Sequence, residues 1–495
     1  VVNLRGVGGG GKTSALVTLN GVKINQLVDD AVLLKAFPVS DIARVEVLKG
    51  GTSGVAYGDG ALSGVVNIIT EDPTKEKQTK VETSIGSFGQ FNNLLAVSGT
   101  QEDLGYVVTL NKEFNDGYRE NSAYDGKSGS AKLVWDNKEN SRIELYMLSH
   151  EDETEAPGSL SELQAKEDRR QAGDFKGKYW NEYHHFSLSY DRQLTENISY
   201  NILGYRTQRY SDSDFGWGYY EITEPSIGAN ANVKINKEWG NKSNVVIIGT
   251  EIREQEASTG PKNSGHSHSK VNGSAFYVQD TFSVNDKLFF DTGYRYDRAI
   301  YDESLTWPSF EGELEFEGHS PAVGARYKFN DISSVFANYS RRFKMPAIYD
   351  LDAVTPEYND NVNVDPQISD NYEAGINYRP SKYFDSQLVY FILNTNDEIM
   401  YDPFNFKNSN FDTKRNGIEG KTFSEITDKF GFGVNAAYMN AEFDGSAFNN
   451  NSLPMTPKEK YGLELKYKFD DNLIFSFDWK FIRDFYRAND FNNNF

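Results

Sequence analysis

A chain of 495 residues has room for several ordinary domains or for one large β-barrel with an added module. It carries no cysteine, which excludes disulfide frameworks and thiolate chemistry, and its net charge of −21 argues against a nucleic-acid partner, since neutralising phosphates takes surplus Lys and Arg. Aromatics make up 14%, yet no apolar run approaches the roughly 18 residues of a spanning helix, so any passage through a membrane must be by closed barrel.

The chain opens "VVNLRGVGGGGKTSALVTLNGVKI", a mid-strand start without a signal peptide, from which the expectation is that the true N-terminus lies outside this sequence. Gly6, Gly11, Lys12 and Thr13 fit the spacing G-x-x-x-x-G-K-[ST] of phosphate-cradling loops. Such a loop needs a helix after it, because phosphate binds at that helix's N-terminus. The next residues, "SALVTLNGVKI", are instead β-branched and alternating, with the Asn20-Gly21 pair of a tight hairpin. The stretch reads as a flexible Gly-rich loop between two strands.

From about Val81 the chain repeats one unit, a strand of about eight to fourteen residues and then a connection. In "YGLELKYKF", Tyr461, Leu463, Leu465, Tyr467 and Phe469 share one face and Gly462, Glu464, Lys466 and Lys468 the other. "LIFSFDWKF" and "LFFDTGYRYD" alternate in the same way, the latter with Arg295 and Asp297 on its polar face. Connections alternate in length. Short ones include "DNKEN", "SVNDK", "KFND" and "KFDDN"; long ones include "EDETEAPGSLSELQAKEDRRQAGDFKGK", "SDSDFGWGYYEITEP" and "EASTGPKNSGHSHSKVNG". A sandwich has no reason to keep that sidedness, whereas an outer-membrane barrel puts short turns on one side and long loops on the other. The reading is an all-β transmembrane barrel with about nineteen strands between Val81 and Asp484, in the class of about 22 whose lumen is plugged. About three strands are then missing after "RANDFNNNF", and the strands present would expose two unpaired edges.

The first seventy or so residues, "VVNLRGVG...ALVTLNGVKIN...FPVSDIARVEVLKGGTSGVAYGDGALSGVVNIIT", resemble the second half of the plug domain of TonB-dependent outer-membrane receptors. Later landmarks keep the family's order: "SRRFKMPAIYDL", "NYEAGINY" and "NGIEGKTF". Departures are Asn20 where Asp is usual, Gly51 where Pro is usual, one extra residue between Gly50 and Tyr57, and Gln367 where Glu is common. The resemblance implies a plug half over residues 1–75 and a barrel over residues 76–495. It implies an N-terminal contact region for TonB and its inner-membrane energising complex, outside this sequence, and uptake across the bacterial outer membrane amid lipid and lipopolysaccharide. The expected cargo is a ferric siderophore, with cobalamin second and haem third, and a passive porin-like channel as the alternative of another class. No enzyme activity, resident cofactor or metal is expected, since iron would arrive with the ligand.

By the same resemblance, the plug cations Arg5 and Lys49 face barrel carboxylates at Glu373 and Glu419, Lys49 lacking the bidentate fork of an arginine. Gln26, Asp29 and Asp30 of "INQLVDDAV" fall where family members contact substrate, or form a solvated acidic turn. Trp217, Tyr219 and Tyr220 lie in a long connection, as a stacking surface or part of an aromatic girdle. His266 and His268 of "SGHSHSK" are a ligand pair or a polar loop tip, and Asp212 and Asp214 lack the spaced ligands of a calcium loop.

Overall fold

The computed structural model describes residues 4–8, 13–216, 218–262, 265–306, 309–351, 364–470, 473–483 and 485–494. Gly11 and Lys12 of the phosphate-loop spacing lie outside them.

Four short strands come first: β1 (Leu16–Leu19), β2 (Val22–Lys23), β3 (Ile42–Leu48) and β4 (Val65–Thr70). They make one sheet in the order β2-β1-β4-β3, with β1 and β4 parallel. Asn20 and Gly21 take φ of 48° and 84°, the left-handed pair of a tight hairpin, so β1 turns straight back into β2. Asn20 does more than turn: its Oδ1 accepts the Thr70 N–H at 3.0 Å and its amide donates to Thr70 Oγ1 at 2.9 Å, tying the hairpin to the end of β4.

The barrel wall begins with β5 (Gln78–Ile85), β6 (Phe91–Gln101), β7 (Leu104–Asn115), β8 (Tyr124–Asp136), β9 (Ser141–Ala156), β10 (Gly177–Thr195) and β11 (Ile198–Asp214). It continues through β12 (Tyr219–Trp239), β13 (Lys242–Pro261), β14 (Ser267–Ser283), β15 (Leu288–Thr306), β16 (Ser309–His319), β17 (Ala322–Lys328) and β18 (Ser333–Lys344). The last are β19 (Gln367–Ser381), β20 (Phe384–Asp402), β21 (Lys407–Glu425), β22 (Phe430–Phe443), β23 (Glu459–Lys468) and β24 (Ile474–Ile482). These succeed one another round a barrel, with β5 next after β24. β16 and β17 are two halves of one strand, for both pair with β15, one with each end of it. The break falls at Ser320-Pro321, where proline has no N–H to give the ladder. Counting those halves together leaves nineteen strands among the described residues. β24 and β5 are neighbours in the closed barrel, although every residue of both strands is exposed.

Short turns recur on one side, such as 196–197 between β10 and β11 and 240–241 between β12 and β13. The other side departs from the sequence reading. "SDSDFGWGYYEITEP" and the histidine-bearing stretch are mostly strand: β11 and β12 are joined by 215–218 alone, and strands reach 21 residues. Both faces are polar there, which imitates a loop, but the ladder continues and carries directly opposed charges, Lys127 on Glu151 at 2.7 Å and Lys270 on Glu256 at 3.3 Å. Lower on the wall the outward positions are apolar, with Phe475, Phe477, Trp479 and Phe481 all exposed on β24. No helix among the described residues is long and apolar enough to cross a membrane.

Candidate functional site

The polar inner face of the barrel meets the small sheet through buried charges. Arg5, with φ of 55°, aims its guanidinium at Glu373 of β19 (2.6 Å) and Glu419 of β21 (3.2 Å). Between them on β20 stands Phe391, whose ring centroid lies 4.0 Å from the Arg5 Cζ. The register explains the convergence, since Glu373 pairs with Phe391 and Glu419 with Val389, so both carboxylates flank one inward aromatic. Lys49 Nζ reaches Glu419 at 3.0 Å. Gly50 allows this approach, because a Cβ there would lie 2.0 Å from a Glu373 oxygen.

A second group forms at Asp59. It accepts from Lys23 at 3.0 Å, from Arg253 at 2.7 Å and from the Met345 N–H at 2.9 Å. Burial alone would raise this carboxyl, but Lys23 and Arg253 together outweigh it and hold it well below the usual carboxylate range. Beside it the fully buried Arg295 binds Asp297 through two bonds of 2.8 Å, Glu251 at 2.8 Å and the Ala56 carbonyl at 3.0 Å. Gly58, at φ of 70°, leaves the room that guanidinium needs: a Cβ would meet it at 2.2 Å.

Three further contacts complete the docking. Lys344 pairs with Asp30 at 2.6 Å and donates to the Thr13 carbonyl at 3.0 Å. Arg342 donates to the Ala61 and Gly51 carbonyls at 3.3 and 3.4 Å. On the far side Glu398 accepts the Gly8 N–H at 2.9 Å and holds Arg415, which donates to the Gly6 carbonyl at 3.0 Å. Sequence reasoning missed Arg253, Arg295, Arg342, Lys344, Glu398 and Arg415. Alternation marks such positions as lumenal, but nothing local names their partners.

A lumen filled by a separately folded sheet and pinned by buried ion pairs is the arrangement of a plugged barrel, and sequence comparison agrees. Residues 78–495 match the family model for the TonB dependent receptor-like β-barrel, and residues 1–65 that for the TonB-dependent receptor plug domain. The chain belongs to the TonB-dependent receptor family. That family is one of receptors and transporters rather than enzymes. The vitamin B12 transporter BtuB of Vibrio cholerae serotype O1 is 23% identical over 388 residues, covering 74% of this chain and 57% of that protein. The chain thus spans a little over half the length of the curated relatives it matches. Among solved structures, the unliganded ferric citrate transporter FecA superposes with a TM-score of 0.86 at 19% identity, over 97% of this chain and 77% of that one. The ferric yersiniabactin uptake receptor FyuA from Yersinia pestis gives 0.80 at 16% identity, over 99% and 81%. At such identities the likeness is one of fold.

The other candidate residues of this receptor disperse over the mouth of the lumen. The turn from Gln26 to Asp30 is the plug apex, closed by the Asp30 N–H on the Gln26 carbonyl at 3.1 Å. Barrel groups hold it: Glu224 of β12 accepts the Val28 N–H at 2.8 Å, and Tyr349 donates its N–H to the Val28 carbonyl at 2.8 Å. Asp30 is not a solvated turn residue, because it is buried on Lys344. Asp29 is half-buried and accepts the Ala31 N–H, and Gln26 Oε1 is buried without a hydrogen-bond partner among the described residues. Tyr219 and Tyr220 open β12 rather than lying in a loop, and alternation divides them: Tyr220 packs inward on Val28 and Ile222, Tyr219 is exposed. Trp217 lies outside the described residues. His268 belongs to β14 and is exposed, while His266 precedes it, with Nε2 3.2 Å from the Pro261 carbonyl and 4.0 Å from Glu221. Asp212 is taken up by Lys262 at 2.6 Å. No metal-binding cluster of acidic or imidazole groups occurs among the described residues.

Proposed function

We propose that this protein sits in the bacterial outer membrane and takes up a ferric siderophore by energised transport through TonB. The observation that carries the reading is the lock of buried Arg5 and partly exposed Lys49 on Glu373 and Glu419. A passive pore has no use for a folded plug pinned by desolvated charges, and such pairs are costly to open. The outer membrane has neither ATP nor a gradient of its own, so shifting the plug takes work delivered across the periplasm.

The siderophore assignment is supported by the names of the structural relatives, a ferric citrate transporter and a ferric yersiniabactin receptor. A cobalamin cargo is the second reading, favoured by the sequence relatives named as vitamin B12 transporters. Ligand contact would fall to Gln26 and Asp29 at the apex and Tyr220 on the facing wall. The test is uptake by the full-length gene in a receptor-deficient Gram-negative host, with labelled ferric siderophores and labelled cobalamin, with and without a protonophore. Uptake of one siderophore that collapses with the gradient is the expected result. Cobalamin uptake would move the substrate class, and gradient-independent entry of several solutes would overturn energised transport.

A further inference from the structure

We infer that the lumen holds an anion-binding chamber between the plug and strands β18 to β23, on the short-turn side of the Arg5 lock. The cavity measures about 700 Å³ and is walled on the plug side by Val47, Leu48, Lys49 and Arg5. Its barrel side is set by ladder register. One row runs Val389, Glu419, Ala437, Lys460 across β20 to β23; the next runs Gln387, Lys421, Asn435, Gly462. A third row ends on Lys458, whose carbonyl accepts the Met439 N–H at 2.8 Å. Paired residues share a face, so Lys421, Lys458 and Lys460 all point into the lumen with Glu419.

The charge balance is one-sided. The chamber's two carboxylates, Glu373 and Glu419, are both engaged by Arg5 and Lys49. Lys421, Lys458 and Lys460 have no carboxylate within ion-pairing distance among the described residues. Three lysines without a carboxylate partner line one cavity in a chain of net charge −21, and they repel one another unless an anion sits among them. The patch is bounded as well as charged: the adjacent row toward the short turns carries Glu464 and Asp478, which restore negative charge. Small side chains such as Ala437 leave the space unfilled. A compact solute with several carboxylate, phosphate or sulfonate groups fits this chemistry, and neutral or cationic solutes do not. The inference rests on the uptake reading for its purpose, as a station on the path of an anionic cargo past the plug.

Binding can be measured without TonB or a gradient, so its failure and the failure of energised uptake are separate results. The probe is a trisulfonated pyrene dye, titrated by fluorescence anisotropy into the full-length receptor in detergent, with a cationic rhodamine of similar size as comparison. Lys421→Gln/Lys458→Gln/Lys460→Gln should weaken the sulfonated dye by at least about tenfold, and the triple arginine variant should bind like the parent. Equal binding by all three proteins, equal loss in both variants, or equal binding of the cationic dye would each overturn the chamber.

Discussion

Arg5 and Lys49 share a carboxylate, yet they sit in different surroundings. The Arg5 side chain is 2% exposed and that of Lys49 39%. Removing one partner of a buried pair strands the other charge, so Arg5→Ala should cost about 3–5 kcal/mol of plug anchoring. Lys49→Ala, at a screened position, should cost about 0–1 kcal/mol. Both are read as shifts in the urea midpoint for plug release from the purified full-length receptor, monitored by a fluorophore on the plug. Asp59 offers a pH test with a definite sign. Its carboxyl is held lower in the fold than in the unfolded chain, so its contribution is complete above the unfolded value and is lost only as the pH falls through the folded one. Asp59→Asn should therefore cost as much at pH 5 as at pH 7. A cost that vanishes at pH 5 would mean that Lys23 and Arg253 do not hold it low.

At the scale of elements, the β1–β2 hairpin isolates backbone conformation from packing. Gly21 has φ of 84°, and a Cβ there would touch only Leu203, at an ordinary 3.8 Å. Gly21→Ala should then cost about 1–2 kcal/mol in the same plug-release assay, from left-handed strain alone. This hairpin was legible in the sequence because Asn-Gly fixes its own geometry without tertiary help. The wall strands were legible for a similar reason: period-2 alternation in "YGLELKYKF" puts Tyr461 and Leu463 on one face and Glu464 and Lys466 on the other with no reference to neighbours. Strand ends were not. Asp212, Asp214 and Glu221 lie where both faces carry polar side chains, and there the neighbouring strands, not an apolar pattern, keep the chain extended. The partners of Arg253, Arg295 and Arg415 were illegible for a third reason. Asp59, the Ala56 carbonyl and the Gly6 carbonyl reach them only through the angle at which the plug docks, a property of contacts some hundreds of residues apart.

For the whole molecule, the ion pairs are arranged so that no single one decides whether the lumen is shut. The Arg5 group rests on β19 and β21, the Asp59 group on β13, and Arg415 with Glu398 clasps Gly6 and Gly8 from β20 and β21. Groups without shared partners should add in their effects, so the plug tolerates the loss of one lock and loosens with two. In an outer-membrane host this is testable with a large hydrophilic antibiotic that the intact receptor excludes. Arg5→Ala and Asp59→Asn, each alone in the full-length gene, should leave sensitivity close to that of the parent, since the remaining pairs still seat the plug. The double variant should admit the antibiotic with or without a protonophore, because the barrier that TonB is proposed to overcome by work would already be lowered. If the double variant stays as tight as either single one, the plug is retained by apolar packing such as Val17, Leu19 and Phe37 against Tyr146 and Tyr183, and the buried charges serve another end.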